Sequence, residues 1–457
     1  MTPSYPFDTF SRRELMPPAL PSRRRGRARS AATMALLGGL APLTAAASSA
    51  ISLLDGHTRP SRGERRTILI NTTRMTKGLV LARAFHAAGH RVVLADTARY
   101  RLGAGRFSRA VSRSFTVPDP LVDFEGYARA LARVVEREGV DLFVPVNSPA
   151  GAQLDAEVKE RLRCRVLHLD AGDNAVVDDK FRFAQIARQA GLGVPQTLRI
   201  DRPDQLAEFR DDSGSRWLLK PAVYDPIGRQ GKQLLPFEDR QRQRQWAATL
   251  SIEPERPWVL QRFVQGVEHC AHATVVDGEI RVFVCAESSP YQLNYRAVER
   301  PRVRMWVERF VAALGAKDAQ LCFDFILDAE GIPWAIECNP RLHSAITLFG
   351  DQPAQLAAAY LGERSGCLTP PLSTSPTYWL AMELERLAYV RAPGQAWRWI
   401  RHLWRGKDAV FQRDDPWPFF ALHHVQIPSL LLRNALRDGR WTHVDWCIGK
   451  VVEPCGD

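Results

Sequence analysis

Apolar and polar positions change rhythm along the chain, and each change predicts a different kind of unit. A short apolar run at 67–70 is followed by a polar turn, then by a helical pattern from 79 to 88 that Gly89 closes. A second apolar run at 91–95, a helix at 124–138 ending at Gly139 and a third run at 141–146 repeat the theme. Strands alternating with helices predict a small parallel α/β domain. From Asp178 the pattern differs. A helix runs from Lys180 to about 190, Gly191 stops it, and an extended segment begins at Val194-Pro195. Strands are predicted at 217–220 and 258–263, with a glycine-containing loop over 221–232. Strands at 270–276 and 280–286 meet across Asp277-Gly278, a tight-hairpin signal. A helix at 303–314 precedes a last hairpin, 322–327 and 333–338, turning at 328–331. The tail from about 370 is rich in Trp, Arg and Pro, and no internal repeat is evident.

Composition sets limits on this picture. A 457-residue chain with 45% hydrophobic residues can bury a large core, and at ~100–200 residues per domain it holds about two to four domains. Disorder over the whole length is excluded. The net charge of +12 suggests a nucleic-acid partner until its distribution is seen: residues 1–66 hold eleven Lys or Arg against four Asp or Glu. The body is only mildly basic and carries no basic stripe interleaved with stacking aromatics, which argues for no nucleic-acid partner. Eight scattered cysteines with no CxxC spacing speak against a zinc knuckle or a disulfide scaffold and fit a reducing cytosol. The leader has its own character. Arg23, Arg24, Arg25, Arg27 and Arg29 precede an apolar stretch at 31–54 that reads as a signal peptide, a membrane anchor or an interfacial hairpin. Gly38, Gly39 and Pro42 dilute it, and Arg59, Arg62, Arg65 and Arg66 even out the flanking charge.

Three features carry chemistry. Asp324 alternates with Phe323, Phe325 and Leu327, and Glu337 and Asn339 fall on the partner strand, so two carboxylates and an amide meet in an apolar hairpin. Paired carboxylates without a cation are costly to bury, and such oxygen donors suit magnesium; the alternative is an exposed polar edge. Lys180 follows two aspartates at a helix start, and Lys220 ends an apolar strand before a proline, where a phosphate or carboxylate would satisfy its charge. The alternative is a solvated lysine. In the segment 259–268, a strand leaves the core into a linker, exposing backbone groups that can pair with a purine edge, with a carboxylate just beyond; an ordinary strand exit is the alternative.

In order and spacing these features resemble the ATP-grasp superfamily over 67–348. The resemblance implies an α/β (α+β) ATP-grasp fold: a leader over 1–66, a Rossmann-like pre-ATP-grasp domain over 67–175, an ATP-grasp domain over 176–350 with its lid at about 195–265 and a C-terminal metal-binding subdomain, and an extension over 351–457. It further implies that Lys180 and Lys220 contact the ATP phosphates and that Gly228 and Gly231 sit in the mobile phosphate-covering loop. Arg262 and Val264 become backbone adenine contacts, and Glu268 the ribose ligand. Asp324, Glu337 and Asn339 become the ligands of Mg2+, with Mn2+ the alternative, and Arg341 steadies the transferred phosphoryl group beside Lys220. Two departures are visible. Gln261 stands where the family commonly has glutamate and can still bond the adenine amino group, and the phosphate loop is glycine-poor, with Arg229 and Lys232 able to supply charge.

The run Glu337-Cys338-Asn339-Pro340-Arg341-Leu342-His343-Ser344, the tail run Phe420-Ala421-Leu422-His423-His424-Val425-Gln426-Ile427-Pro428 and the apolar leader are similar to the ATP-grasp ligases of mycosporine biosynthesis. Those enzymes join glycine to 4-deoxygadusol. His343, Ser344, Tyr291 and Asn294 are the candidate substrate residues by position, each with a structural role as the alternative. The rival expectations are a ligase that activates a true carboxylate and a nucleotide sensor without turnover. His423 and His424, with no carboxylate or cysteine at ligand spacing, predict a packed tail. Trp397, Ile400 and Trp404 fall near one helical face among Arg398, Arg401 and Arg405, predicting an interfacial helix or, alternatively, tryptophans packed on the core. Together with the leader this implies a cytoplasmic protein with peripheral contact at the inner face of the membrane.

Overall fold

The computed structural model describes residues 23–54, 64–224, 233–287, 294–387 and 389–453. Strands β1 (Thr67–Ile70), β2 (Arg91–Thr97), β3 (Arg113–Val117), β4 (Leu142–Val144) and β5 (Arg165–Val166) form a parallel sheet in the order β3-β2-β1-β4-β5. β1 lies at its centre and is apolar on both faces because both are covered. Ile68 and Ile70 enter one core while Leu69 enters another with Val93, Leu131 and Phe143. Helix Phe124–Glu138 begins where Asp123 accepts from the Gly126 N–H and ends at Gly139, whose φ of 59° is the left-handed stop that glycine permits.

A second sheet is antiparallel: β6 (Thr197–Ile200), β7 (Trp217–Pro221), β8 (Leu234–Leu235) and β9 (Trp258–Arg262), ordered β6-β9-β7-β8. It has its own small core around Trp217, Leu219, Leu235 and Leu260. The third sheet holds β10 (Val267–Val276), β11 (Glu279–Glu287), β12 (Ala319–Leu327) and β13 (Pro333–Asn339), ordered β11-β10-β12-β13 and antiparallel. Asp277 and Gly278 both have positive φ, 54° and 80°, as a tight β10–β11 turn requires. The two faces of this sheet separate by alternation. Ala271, Ala273, Phe323 and Phe325 pack with Phe183 of helix Lys180–Gln189 and with Trp306 and Phe310 of helix Pro301–Leu314. Cys270, Cys322 and Asp324 fall on the opposite face, with His272, Glu268 and Gln320 beside them by register. That face meets the parallel sheet, where the Gln320 amide donates to the Pro145 carbonyl at 2.8 Å.

The leader is one continuous helix, Arg23–Leu54, rather than a hairpin. Gly38, Gly39 and Pro42 lie inside it without ending it. Its first half is fastened to the tail. The Trp441 indole donates to Ser30 Oγ at 2.9 Å, and the Arg29 guanidinium lies 3.9 Å over the Trp441 ring. His424 Nδ1 reaches the Leu37 carbonyl at 2.8 Å while Nε2 lies 2.7 Å from Thr44 Oγ1, in the stretch where Pro42 withholds a backbone N–H. His423 stacks on Trp446, so both histidines are packing residues, as their spacing predicted. Helix Pro393–Arg405 buries no side chain. Trp404 is 89% exposed and Trp397 61%, so the tryptophans do not pack on the core.

Candidate active site

Asp324 on β12 stands directly opposite Glu337 on β13, and Cys322 opposite Asn339. The register slips just beyond Asp324, leaving Ile336 outside the pairing. Such a bulge re-aims neighbouring side chains, and here it frees the Ile336 carbonyl for a side chain from the second sheet. The Asn339 amide nitrogen lies 3.5 Å from Asp324 Oδ2, and a half-turn of the amide would present its oxygen instead. Burial pushes the Asp324 carboxyl well above its ordinary range, and the charges of Glu337 and Glu268 push it the same way. Burial pushes Glu337 up too, but Lys180 and Lys220 outweigh it and hold this carboxyl well below the usual range. Glu337 is therefore the ionised member, and Asp324 keeps its proton until a further cation arrives.

Lys180 is fixed by the start of its helix. The Asp179 carboxylate caps it by accepting from the Phe181 and Arg182 N–H groups, and the Lys180 N–H donates to the Ala222 carbonyl at 2.9 Å. From there Nζ lies 3.3 Å from Glu337 Oε2. Lys220, ending β7, donates from Nζ to Gln261 Oε1 at 3.1 Å. The other end of that amide donates to Thr197 Oγ1 at 3.3 Å and to the freed Ile336 carbonyl at 3.2 Å. Gln261 is thus bonded at both ends and buried; it holds Lys220 and ties the second sheet to the carboxylate hairpin. Arg341 lies past β13 with its N–H bonded to the Asn339 carbonyl at 2.8 Å. Its Nη1 is 3.9 Å from Asp178 Oδ1 and has no hydrogen-bond partner among the described residues. Burial raises Asp178, against the pull of Arg341.

The remaining candidates divide. Gly228, Gly231 and Tyr291 lie outside the described residues. The Arg262 N–H already donates to the Gln196 carbonyl at 2.8 Å, which leaves only its carbonyl for an adenine, and Val264 follows where β9 has ended. Glu268 sits on β10 opposite Ile326, close enough for its charge to bear on Asp324. Asn294 departs from the expected substrate contact: its amide donates to Glu383 Oε1 at 2.8 Å and lies 3.2 Å from His402 Nε2, within the packing of the C-terminal extension. His343 Nδ1 accepts from the Ala345 N–H and its ring meets Tyr295 edge-on at 5.2 Å. Ser344 Oγ accepts from the Cys447 thiol. Two residues at the site escaped sequence reasoning. Asp178 begins the Asp-Asp-Lys run noticed only for its lysine, and Lys77, in a turn rich in Thr, offered no periodic signal.

This arrangement can be set beside known proteins. Biotin carboxylase of Campylobacter jejuni, solved as a β-γ-ATP complex, superimposes with a TM-score of 0.52 at 14% identity, over 68% of this chain and 74% of that one. The chain has the ATP-grasp fold. N5-carboxyaminoimidazole synthetase of Staphylococcus aureus aligns over 68% of this chain and 80% of its own at TM-score 0.51 and 14% identity. By sequence, the C-terminal section of the carbamoyl phosphate synthase large chain of Methanopyrus kandleri is 28% identical over 230 residues, 46% of this chain. The match spans only 41% of that protein. No family model matches the chain.

Proposed function

We propose that the protein is an ATP-dependent, ADP-producing ligase that activates an oxygen of a small molecule by phosphorylation and lets an amine displace the phosphate. The observation that carries this reading is the facing pair Asp324 and Glu337, ionised unequally, with Lys180 at 3.3 Å. Asp324, Glu337 and Asn339 would hold Mg2+: the donors are hard oxygens, and a cation would relieve the mutual repulsion of the two facing carboxyls. Mg2+ takes few protein ligands and completes its shell with water and phosphate. When bound, the ion neutralises charge on the terminal phosphates. Lys180 and Lys220 approach those phosphates as ammonium groups, and Arg341 meets the phosphoryl group in transit, its free Nη1 serving as donor.

We read the acceptor as 4-deoxygadusol and the amine as glycine, from the runs at 337–344 and 420–428. The enol oxygen of the vinylogous acid takes the γ-phosphoryl group and ADP departs. The glycine nitrogen then adds to the phosphorylated carbon and loses a proton, and the C–O bond breaks to release inorganic phosphate. A vinylogous acid shares the electronics of a carboxylate, so one phosphoryl-transfer site can serve either. Incubating the full chain with ATP, Mg2+, glycine and 4-deoxygadusol tests the proposal: a new ultraviolet chromophore with stoichiometric ADP is expected. ADP released only when a carboxylic acid is supplied would instead identify a carboxylate–amine ligase, and no ADP under any condition would identify a nucleotide sensor.

We further propose peripheral contact with a membrane from the cytoplasmic side. Among the described residues the leader is the one helix long and apolar enough to cross a bilayer by length and composition. Its exposed Leu36, Leu40 and Leu43 join an exposed tail face of Trp397, Ile400 and Trp404 flanked by Arg398 and Arg401, apolar side chains amid cations that suit an anionic lipid surface.

A further inference from the structure

Lys77 stands in the first turn of helix Thr76–Ala87, against the parallel sheet, and is only 7% exposed. Its Nζ donates to the Leu342 carbonyl at 2.6 Å, one residue past Arg341. An ammonium has three N–H groups, and one neutral carbonyl is poor compensation for burying it. The surroundings make the position costlier. The largest influences on its charge, after burial, are the guanidiniums of Arg341 and Arg74, which disfavour it, and the thiols of Cys447 and Cys322. Burial and those two guanidiniums pull its amine down to about 7. His272, fully buried, has Nε2 3.1 Å from Thr274 Oγ1, and burial together with the Lys77 charge pulls it down to about 3, against a backbone hydrogen bond with Leu321. His343, neutral for the same reasons, and Tyr295 pack their rings together nearby.

A buried cation whose charged neighbours are also cations is relieved by an anion. Lys77 reaches Leu342 from the parallel sheet, whereas Lys180 and Lys220 reach Glu337 from the second sheet and its neighbouring helix. The phosphates belong between those two lysines and the carboxylate pair, so the anion beside Lys77 and Arg341 is a different molecule. We infer that Lys77 binds the anionic oxygen of the acceptor, a carboxylate or vinylogous carboxylate, and holds it against Arg341 for phosphorylation. This rests on the ligase reading above and adds to it the charge state of the acceptor and the residue that selects it. A neutral acceptor would leave the ammonium as poorly paired as before.

The test is calorimetric titration of the full chain, wild type against Lys77→Met and Lys77→Arg, with MgADP, 4-deoxygadusol, 1,3-cyclohexanedione as the simplest cyclic vinylogous acid, and glycine. Lys77→Met is expected to weaken both vinylogous acids by about 30-fold or more, the usual effect of removing one partner of a buried charge pair. MgADP and glycine affinities should stay unchanged, Lys77→Arg should restore much of the loss, and Lys77→Met should melt no lower than wild type because it removes an uncompensated buried charge. Unchanged affinity for the vinylogous acids in Lys77→Met overturns the inference, as does a loss confined to glycine. Wild-type protein that binds MgADP but neither vinylogous acid overturns the inference and leaves the ligase reading standing, whereas failure to bind MgADP refutes that reading itself.

Discussion

Two carboxyl groups facing each other across a strand pair cannot both ionise cheaply, and Asp324 and Glu337 divide the task because Lys180 and Lys220 stand on the Glu337 side. Asp324→Asn and Glu337→Gln keep shape and remove charge. Each is expected to lower ADP formation by ~10²–10³-fold with no fall in melting temperature, measured by coupled assay and by thermal unfolding; unaltered rates would remove the assigned metal site. A second buried carboxyl offers a pH prediction away from the site. Burial raises Asp155 from 3.8 to about 6, although the Tyr127 hydroxyl and the Asn71 amide both donate to it. The folded state therefore binds the extra proton between those two values. The stability contributed by this group is complete below about pH 3.8 and is lost as pH rises through about 6. Asp155→Asn should lose that slope, so its melting temperature should gain on wild type between pH 4 and 6. At this scale the sequence revealed Asp324, Glu337 and Asn339 because their polarity interrupts apolar strands. It did not reveal that the Gln261 amide bonds Lys220 and Thr197, since strand position does not say which neighbours an amide meets.

Among the elements, alternation and turn chemistry were the legible part. Asp277-Gly278 turned where predicted, and the strands at 322–327 and 333–338 appear as the inner parts of β12 and β13. The edge strands β3 and β5 were not readable: β3 carries Arg113, Ser114 and Thr116, and β5 has two residues. Which of the leader's alternatives holds was not readable because Gly38, Gly39 and Pro42 weaken local propensity, while the tail residues that fasten the continuous helix lie about 400 positions away. The register of β12 depends on what packs beneath it. Phe323 is fully buried against Phe183, Trp306 and Phe310, next to Asp324 on the opposite face. Phe323→Ala should cost about 3–5 kcal/mol, read by chemical denaturation, and should also weaken activity, because the cavity lies directly under the carboxylate strand.

Across the whole molecule, Lys77 from the helix after β1, Gln261 from the second sheet and Lys180 from its own helix all reach the stretch from Ile336 to Leu342. The outside of the molecule carries the membrane proposal. Wild-type protein should sediment with phosphatidylglycerol vesicles and not with phosphatidylcholine alone. Deleting residues 1–66 and replacing Trp397 and Trp404 with Ser should reduce that binding ~10-fold or more, as loss of inserted apolar area at ~25 cal/mol per Å² requires. Sedimentation unaffected by the combined change would end the proposal.

The tail's last hairpin has a consequence for how the chain is made. The Cys447 carbonyl accepts from the Thr76 N–H at 3.2 Å, and Trp441 holds Ser30, so each of these residues is stitched by one made long after it. On the ribosome, the turn bearing Lys77 must wait for most of the polypeptide to emerge before it acquires its final neighbours. A chain cut shortly before Trp441 would leave helix Arg23–Leu54 without that clasp.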